Sequence, residues 1–170
     1  LRMADEGHQG GNHTWDHVRR QGEEPAHQLQ EIQETDKALG EILGGSGYWL
    51  RPPYGMIDQD MKSQIPMPMV QWSVDPRDWE SRNTDKVVRA VLSQVQPGDI
   101  ILLHDIYATS VDAALQIVDA LTEQGYWCVT VEELLELNGV EPKAGTLYRA
   151  GRTEAQYCRT TATTLPRIWA

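Results

Sequence analysis

The chain of 170 residues has no phenylalanine at all, although it carries six Trp and six Tyr. Ordinary usage would supply several, so the expectation is that a Phe-rich part of the domain lies outside this sequence. Cysteine is scarce as well. Cys128 and Cys158 are too few for a disulfide framework, and the sequence leaves open whether they bridge or remain two thiols. Positive charge is in deficit: Lys and Arg number 15 against 25 Asp and Glu, a net charge of -10. That balance argues against nucleic acid or an anionic lipid surface as the main partner. No apolar run approaches membrane-spanning length, and no stretch reads as a signal peptide. What remains is 40% hydrophobic with scattered Gly and Pro, enough for one domain with a real core.

The most informative stretch is Asp99-Ile100-Ile101-Leu102-Leu103-His104-Asp105. Four apolar residues follow a Pro97-Gly98-Asp99 turn and read as a short buried strand. A buried strand ends in His-Asp only for a reason, because unpaired ionisable groups are costly to bury. His104 is therefore a candidate catalytic acid or base, the alternative being a structural His paired with Asp105. Upstream, Gly10-Gly11-Asn12-His13-Thr14-Trp15-Asp16-His17 holds two imidazoles four residues apart. Neutral imidazole suits zinc and its neighbours, but the same spacing also fits two surface histidines. A catalytic zinc wants three protein ligands, and a third is not nearby in sequence. Arg51-Pro52-Pro53-Tyr54-Gly55 places an Arg ahead of a rigid loop, where it can orient a carboxylate or simply flank a proline turn. Asp75-Pro76-Arg77-Asp78-Trp79 brings carboxylates to another strand end, with an Asx turn or helix cap as the plainer reading.

Between these stretches, apolar spacing predicts alternating elements. Residues 1–8 end a helix at Gly7, and 25–43 form a helix with Leu29, Ile32, Leu39, Ile42 and Leu43 inward. Tyr48–Leu50 reads as a strand, 57–64 as a short helix and 67–72 as a strand. Thr84 is the expected cap of a helix over 85–95. Helices are expected again over 109–124 and 132–137, with a strand at 126–131. This alternation predicts an α/β fold with a parallel sheet, and polar residues at each strand end suit a (β/α) barrel.

GNHTWDH, RPPYG, DPRDW and LLHD, in that order, resemble the motifs of the polysaccharide deacetylases, carbohydrate esterase family 4. The resemblance covers residues 1–137, taken as the catalytic domain, and leaves 138–170 as a C-terminal extension. It implies a distorted (β/α) barrel and metal-dependent removal of acetyl groups from N-acetylglucosamine units of a peptidoglycan- or chitin-type polysaccharide. It implies Zn2+ or another divalent transition metal as cofactor, a polysaccharide or oligosaccharide substrate, and a secreted or cell-surface location. By the same resemblance His13 and His17 are metal ligands, and Arg51 holds the catalytic base. Tyr54 lends a backbone N–H to the oxyanion hole, and Trp79 and Leu102 line the acetyl pocket. His104 is the general acid, with Asp75 as the carboxylate paired to it.

The sequence departs from the family at its start. The family opens with a strand ending in a Thr-Phe-Asp-Asp type motif that supplies the general base and the third metal ligand, and no such motif stands here. The expectation is a barrel without its N-terminal strand or strands, completed by a segment or second chain outside this sequence. Gly10 also replaces a residue that the family usually keeps bulky and apolar. Two other readings stay open: an acetylxylan esterase using the same site for O-acetyl groups, and a non-catalytic carbohydrate-binding derivative.

Overall fold

A computed structural model describes residues 2–17 and 24–151, together with the backbone of Arg167–Ile168. The described residues fall into two compact units rather than one. The first gathers the described part of Leu1–Gln71 with Pro142–Tyr148, and the second holds Trp72–Glu141 with the described residues from Arg149 onward.

In the first unit a short helix α1 (Arg2–Asp5) ends at Gly7, whose φ of 85° is one that a side chain would resist. The main helix α2 (Pro25–Leu43) starts on Pro25, which needs no N–H donor there, and stops at Gly44, whose N–H donates to the Gly40 carbonyl at 3.0 Å. Ile32 on α2 packs against Leu50, Met61, Ile65, Met67 and Met69, with Leu29, Ile57 and Leu147 at the edge of that cluster. The apolar stripe read from the sequence is longer than the face that is buried, for Ile42 is 62% exposed. Met61 lies on α3 (Gln59–Lys62).

Strand pairing in this unit is parallel throughout. Asn12 bridges Leu50, Leu50 bridges Met69, and β1 (Met69–Val70) pairs with a strand near the C-terminus, Leu147–Tyr148. Pro142–Tyr148 thus returns to the first unit. The return turns on Gly145, at φ 70°, where a Cβ would sit 2.4 Å from the Lys62 carbonyl oxygen. Only glycine fits so close a backbone approach.

In the second unit Val74 bridges Ile101 in parallel, so the buried strand read from the sequence is present. Four helices follow in chain order: α4 (Asp78–Ser81), α5 (Thr84–Leu92), α6 (Ala108–Glu123) and α7 (Val131–Leu137). Val87 and Val91 on α5 meet Ala113, Ile117 and Leu121 on α6 over Val74 and Ile101. The cap of α5 is Asn83, whose side chain accepts the Lys86 N–H at 2.9 Å, and not Thr84. The Thr84 hydroxyl instead donates to the Thr109 carbonyl at 3.0 Å, tying α5 to α6. Thr130 and Glu133 form a reciprocal capping box on α7. Between α6 and α7 runs β2 (Trp127–Cys128). The Leu147–Tyr148 strand is β3, and the parallel partner of β2 is β4 (Arg167–Ile168). Cys128 is a free thiol, and Cys158 lies outside the described residues. Among the described residues these parallel pairs stay short and do not close into a ring.

Ile117 has no exposure to water, whereas Leu115, two residues away on α6, is 63% exposed. Truncating Ile117 to Ala should cost about 3 kcal/mol of stability through lost burial and a residual cavity. Leu115→Ala should stay within about 0.5 kcal/mol. Urea unfolding of the two variants measures the contrast, and equal costs would show that α6 does not face the core this way.

Candidate functional site

The first unit builds its polar cluster on Asn12, which has no exposure to water. Its backbone N–H donates to the Trp49 carbonyl and its own carbonyl accepts the Arg51 N–H, both at 2.8 Å. Its side-chain amide donates to the Ile32 carbonyl at 2.8 Å and accepts the Thr14 N–H at 3.0 Å. Both backbone groups and both ends of the side-chain amide of this buried residue are engaged, as burial demands. The loop beyond it is held from below by Glu31 of α2, whose carboxylate accepts the Trp15 and Asp16 N–H groups at 3.3 Å each.

This anchoring forces Thr14 (φ 63°) and His17 (φ 55°) into left-handed conformations and turns the two histidines toward each other. Their ring centroids are 4.7 Å apart, and the Tyr54 ring lies 5.0 Å from that of His17. His13 Nδ1 contacts the Arg51 carbonyl. A carbonyl only accepts, so Nδ1 carries the proton and the lone pair is at Nε2, the arrangement that a ligating imidazole uses. The predicted partners His13, His17, Arg51 and Tyr54 thus lie together. Among the described residues no group of three His, Cys, Asp or Glu side chains is placed to hold an ion. Partial burial lowers the pKa of the Arg51 guanidinium from its ordinary value. At Gly10 a Cβ would come within 2.8 Å of Leu43 Cδ1, the end of a flexible side chain that can shift to admit it.

In the second unit the sequence-based pairing is corrected. His104 meets Asp78, not Asp75 and not Asp105. Asp78 Oδ1 lies 2.8 Å from His104 Nδ1, and Oδ2 accepts the His104 backbone N–H at 2.7 Å. Asp78 has no exposure to water, while Asp75 and Asp105 are exposed. The cause is local. Asp75 accepts the Arg77 N–H at 2.8 Å, an Asx turn that supports Arg77 at φ 52° and swings Asp78 inward as the first residue of α4. Burial by itself would raise the Asp78 pKa, but the neighbouring Ser110 hydroxyl and the two His104 N–H groups outweigh it and hold the carboxyl below its usual range. Asp78 was legible as the second carboxylate of the DPRDW stretch, three residues past the one chosen. Trp79 is 42% exposed with the Arg77 guanidinium 5.6 Å from its ring, and Leu102 is buried at 6%.

A carboxylate on Nδ1 of a part-exposed imidazole leaves Nε2 as the atom that gives or takes a proton, the arrangement of a general acid or base. The model of the polysaccharide deacetylase family matches residues 1–67. Among solved structures, that of the T48 deacetylase with substrate superposes with a TM-score of 0.81 at 41% identity, over 86% of this chain and 73% of that one. The chain belongs to the polysaccharide deacetylases of carbohydrate esterase family 4. Its described α/β elements accordingly correspond to an open part of that family's distorted (β/α) barrel. Among curated members it is 42% identical over 137 residues to the peptidoglycan-N-acetylmuramic acid deacetylase PdaC of Bacillus subtilis, covering 81% of this chain and 29% of PdaC. It is 37% identical over 133 residues to the peptidoglycan-N-acetylglucosamine deacetylase PgdA of Listeria monocytogenes, covering 78% of this chain and 28% of PgdA. The chain thus spans less than a third of the length of either deacetylase. None of its described helices is long and apolar enough to cross a membrane.

The carboxyl pKa of Asp78 is lowered on folding, so its contribution is fully present above the unfolded value and is lost as pH falls through the folded one. Asp78→Asn should cost about 2 kcal/mol at pH 7, because charge-assisted hydrogen bonds to a buried group are removed. The gap to the parent protein should narrow below about pH 4, where the carboxyl protonates in the unfolded chain. Asp75→Asn keeps an Asx turn and should change little. Urea titrations at pH 7 and pH 3 check this, and a gap of equal size at both would count against an ionised Asp78.

Proposed function

We propose that this chain carries the proton-donor side and two metal ligands of a deacetylase that hydrolyses N-acetyl groups on N-acetylglucosamine units of peptidoglycan- or chitin-type polysaccharide. The observation that carries the reading is the Asp78–His104 pair, in a family whose named members PdaC and PgdA act on peptidoglycan. His104 donates from Nε2 to the leaving amine nitrogen as the carbon–nitrogen bond breaks. Asp78, held ionised, stabilises the imidazolium that must exist before that transfer. His13 and His17 would hold a divalent transition metal, zinc in the first instance, and the two converging imidazoles with Nδ1 of His13 capped by a carbonyl fit that duty. When bound, the ion supplies Lewis-acid polarisation and an activated water. Arg51, half-buried, orients the carboxylate that serves as general base. The Tyr54 backbone N–H contributes to the oxyanion hole. Trp79 and Leu102 give the acetyl methyl an apolar wall. A peptidoglycan substrate places the work outside the cytoplasm, at the cell surface or after secretion.

In the intact protein His104→Ala should lower acetate release from N-acetylated peptidoglycan fragments about a thousandfold with bound metal unchanged. His17→Ala should lose most of its bound divalent ion by elemental analysis, because one imidazole alone is a weak site. Near-parent turnover without the His104 imidazole would sink the proposed role of that residue, and full metal retention without His17 would sink the metal assignment.

A further inference from the structure

The Asp78–His104 pair joins two pieces that are weak on their own. Asp78 sits on α4, a helix of four residues, which is too short to be stable by itself. His104 sits in the turn that leads into α6. Arg82 lies at the joint. Its backbone N–H donates to the Asp78 carbonyl at 2.9 Å, closing the turn that Asp78 opens. It does so at φ 43° and ψ 40°, a left-handed conformation that glycine or asparagine would adopt more readily. Arginine in that position is best accounted for by its side chain.

That side chain reaches across. Nε donates to the Trp79 carbonyl at 3.3 Å, and Nη2 donates to the Tyr107 hydroxyl at 3.3 Å. The guanidinium carbon stands 4.5 Å from the centre of the Tyr107 ring, within cation–π range. Tyr107 in turn donates its backbone N–H to the His104 carbonyl at 3.3 Å and immediately precedes α6, which carries Ser110 beside Asp78. One planar cation therefore grips the C-terminal end of the helix that holds the carboxylate and the ring at the end of the turn that holds the imidazole.

We infer that Arg82 and Tyr107 are positioning residues: a clamp that keeps the Asp78 carboxylate in register with His104 Nδ1 and contacts neither substrate nor metal. The inference rests on the proposed proton-donor role of His104 only for its effect on rate. Among the described residues the carboxylate bonded to the His104 ring is Asp78, so loosening the clamp puts that one contact at risk.

The test uses the intact protein and four variants. Arg82→Ala should lower kcat about tenfold with KM within about twofold, since a small misplacement of a proton donor slows the chemical step without changing binding. The hydrogen-bonded Nδ1–H resonance of His104, expected to be sharp and downfield in the parent by nitrogen-edited NMR, should broaden or shift upfield in the same variant. Tyr107→Leu, which removes the ring, should behave like Arg82→Ala. Tyr107→Phe, which keeps the ring and loses one long hydrogen bond, should recover most of both signals. Arg89→Ala, an exposed cation on α5, should change neither. An unaltered Nδ1–H resonance in a folded Arg82→Ala or Tyr107→Leu protein would overturn the clamp. So would a rise in KM with kcat unchanged, which would place Arg82 on the substrate. The tyrosine pair keeps the question answerable if Arg82→Ala does not fold. If His104→Ala retains turnover the proposed mechanism fails, whereas the resonance still reports on the clamp.

Discussion

A carboxylate sealed from water at Asp78 is the constraint on which the second unit depends. An ion of this kind is tolerated only when its oxygens are fully occupied by donors, because the desolvation cost runs to several kcal/mol. Here one oxygen takes a backbone N–H and the other a ring N–H of the same residue, His104. That double attachment fixes the imidazole in position, in orientation and in tautomer at once. The side chain of His104 keeps 35% of its surface exposed while Asp78 keeps none. Burial of the carboxylate and part exposure of the imidazole are therefore one arrangement.

The first unit solves a related problem with neutral groups and one buried carboxylate. A loop that must turn two histidines toward each other cannot satisfy its own main chain, since Thr14 and His17 are outside the regular regions. Asn12 and Glu31 supply acceptors from inside the unit to Thr14, Trp15 and Asp16 in succession. The loop is irregular without being loose. The histidine pair is a consequence of where those acceptors stand, which is why a buried Asn on a bridge position and a buried Glu on α2 matter to residues that lie on the surface.

Periodicity made the helices legible. The 19 residues of α2 run over the span that the apolar spacing indicated, and Val87 and Val91 on α5 and Ile117 and Leu121 on α6 turn inward as that spacing assigns, whereas Val111 and Leu115 on α6 are exposed and Ala113 is buried in their place. Ordered motifs made the candidate residues legible too. What the sequence did not carry is which of two carboxylates in DPRDW turns inward. Asp75 and Asp78 are chemically identical and three apart, and only the left-handed turn at Arg77 decides between them. That turn is a product of the Asx bond from Asp75, so the residue expected to touch His104 acts one step earlier by aiming the residue that does. The return of Pro142–Tyr148 to pair with β1 was equally hidden, because a strand of two residues has no period to detect, and its cause is a close approach at Gly145 that only the fold creates.

Backbone strain shows the same division of labour. Among the described residues five that are not glycine have positive φ: Thr14, His17, Tyr54, Arg77 and Arg82. Such conformations cost of order 1 kcal/mol each and persist only where the surroundings over-determine them. In the first unit they are a histidine of the pair, the residue beside the other, and the exposed tyrosine whose ring meets that of His17. In the second they flank α4 on either side, one aiming Asp78 and the other closing the turn behind it. None falls in α2, α5, α6 or α7, where a strained residue would only lose stability. The fold thus concentrates its unfavourable geometry where a side chain has to be aimed, and uses the regular helices to hold those points still.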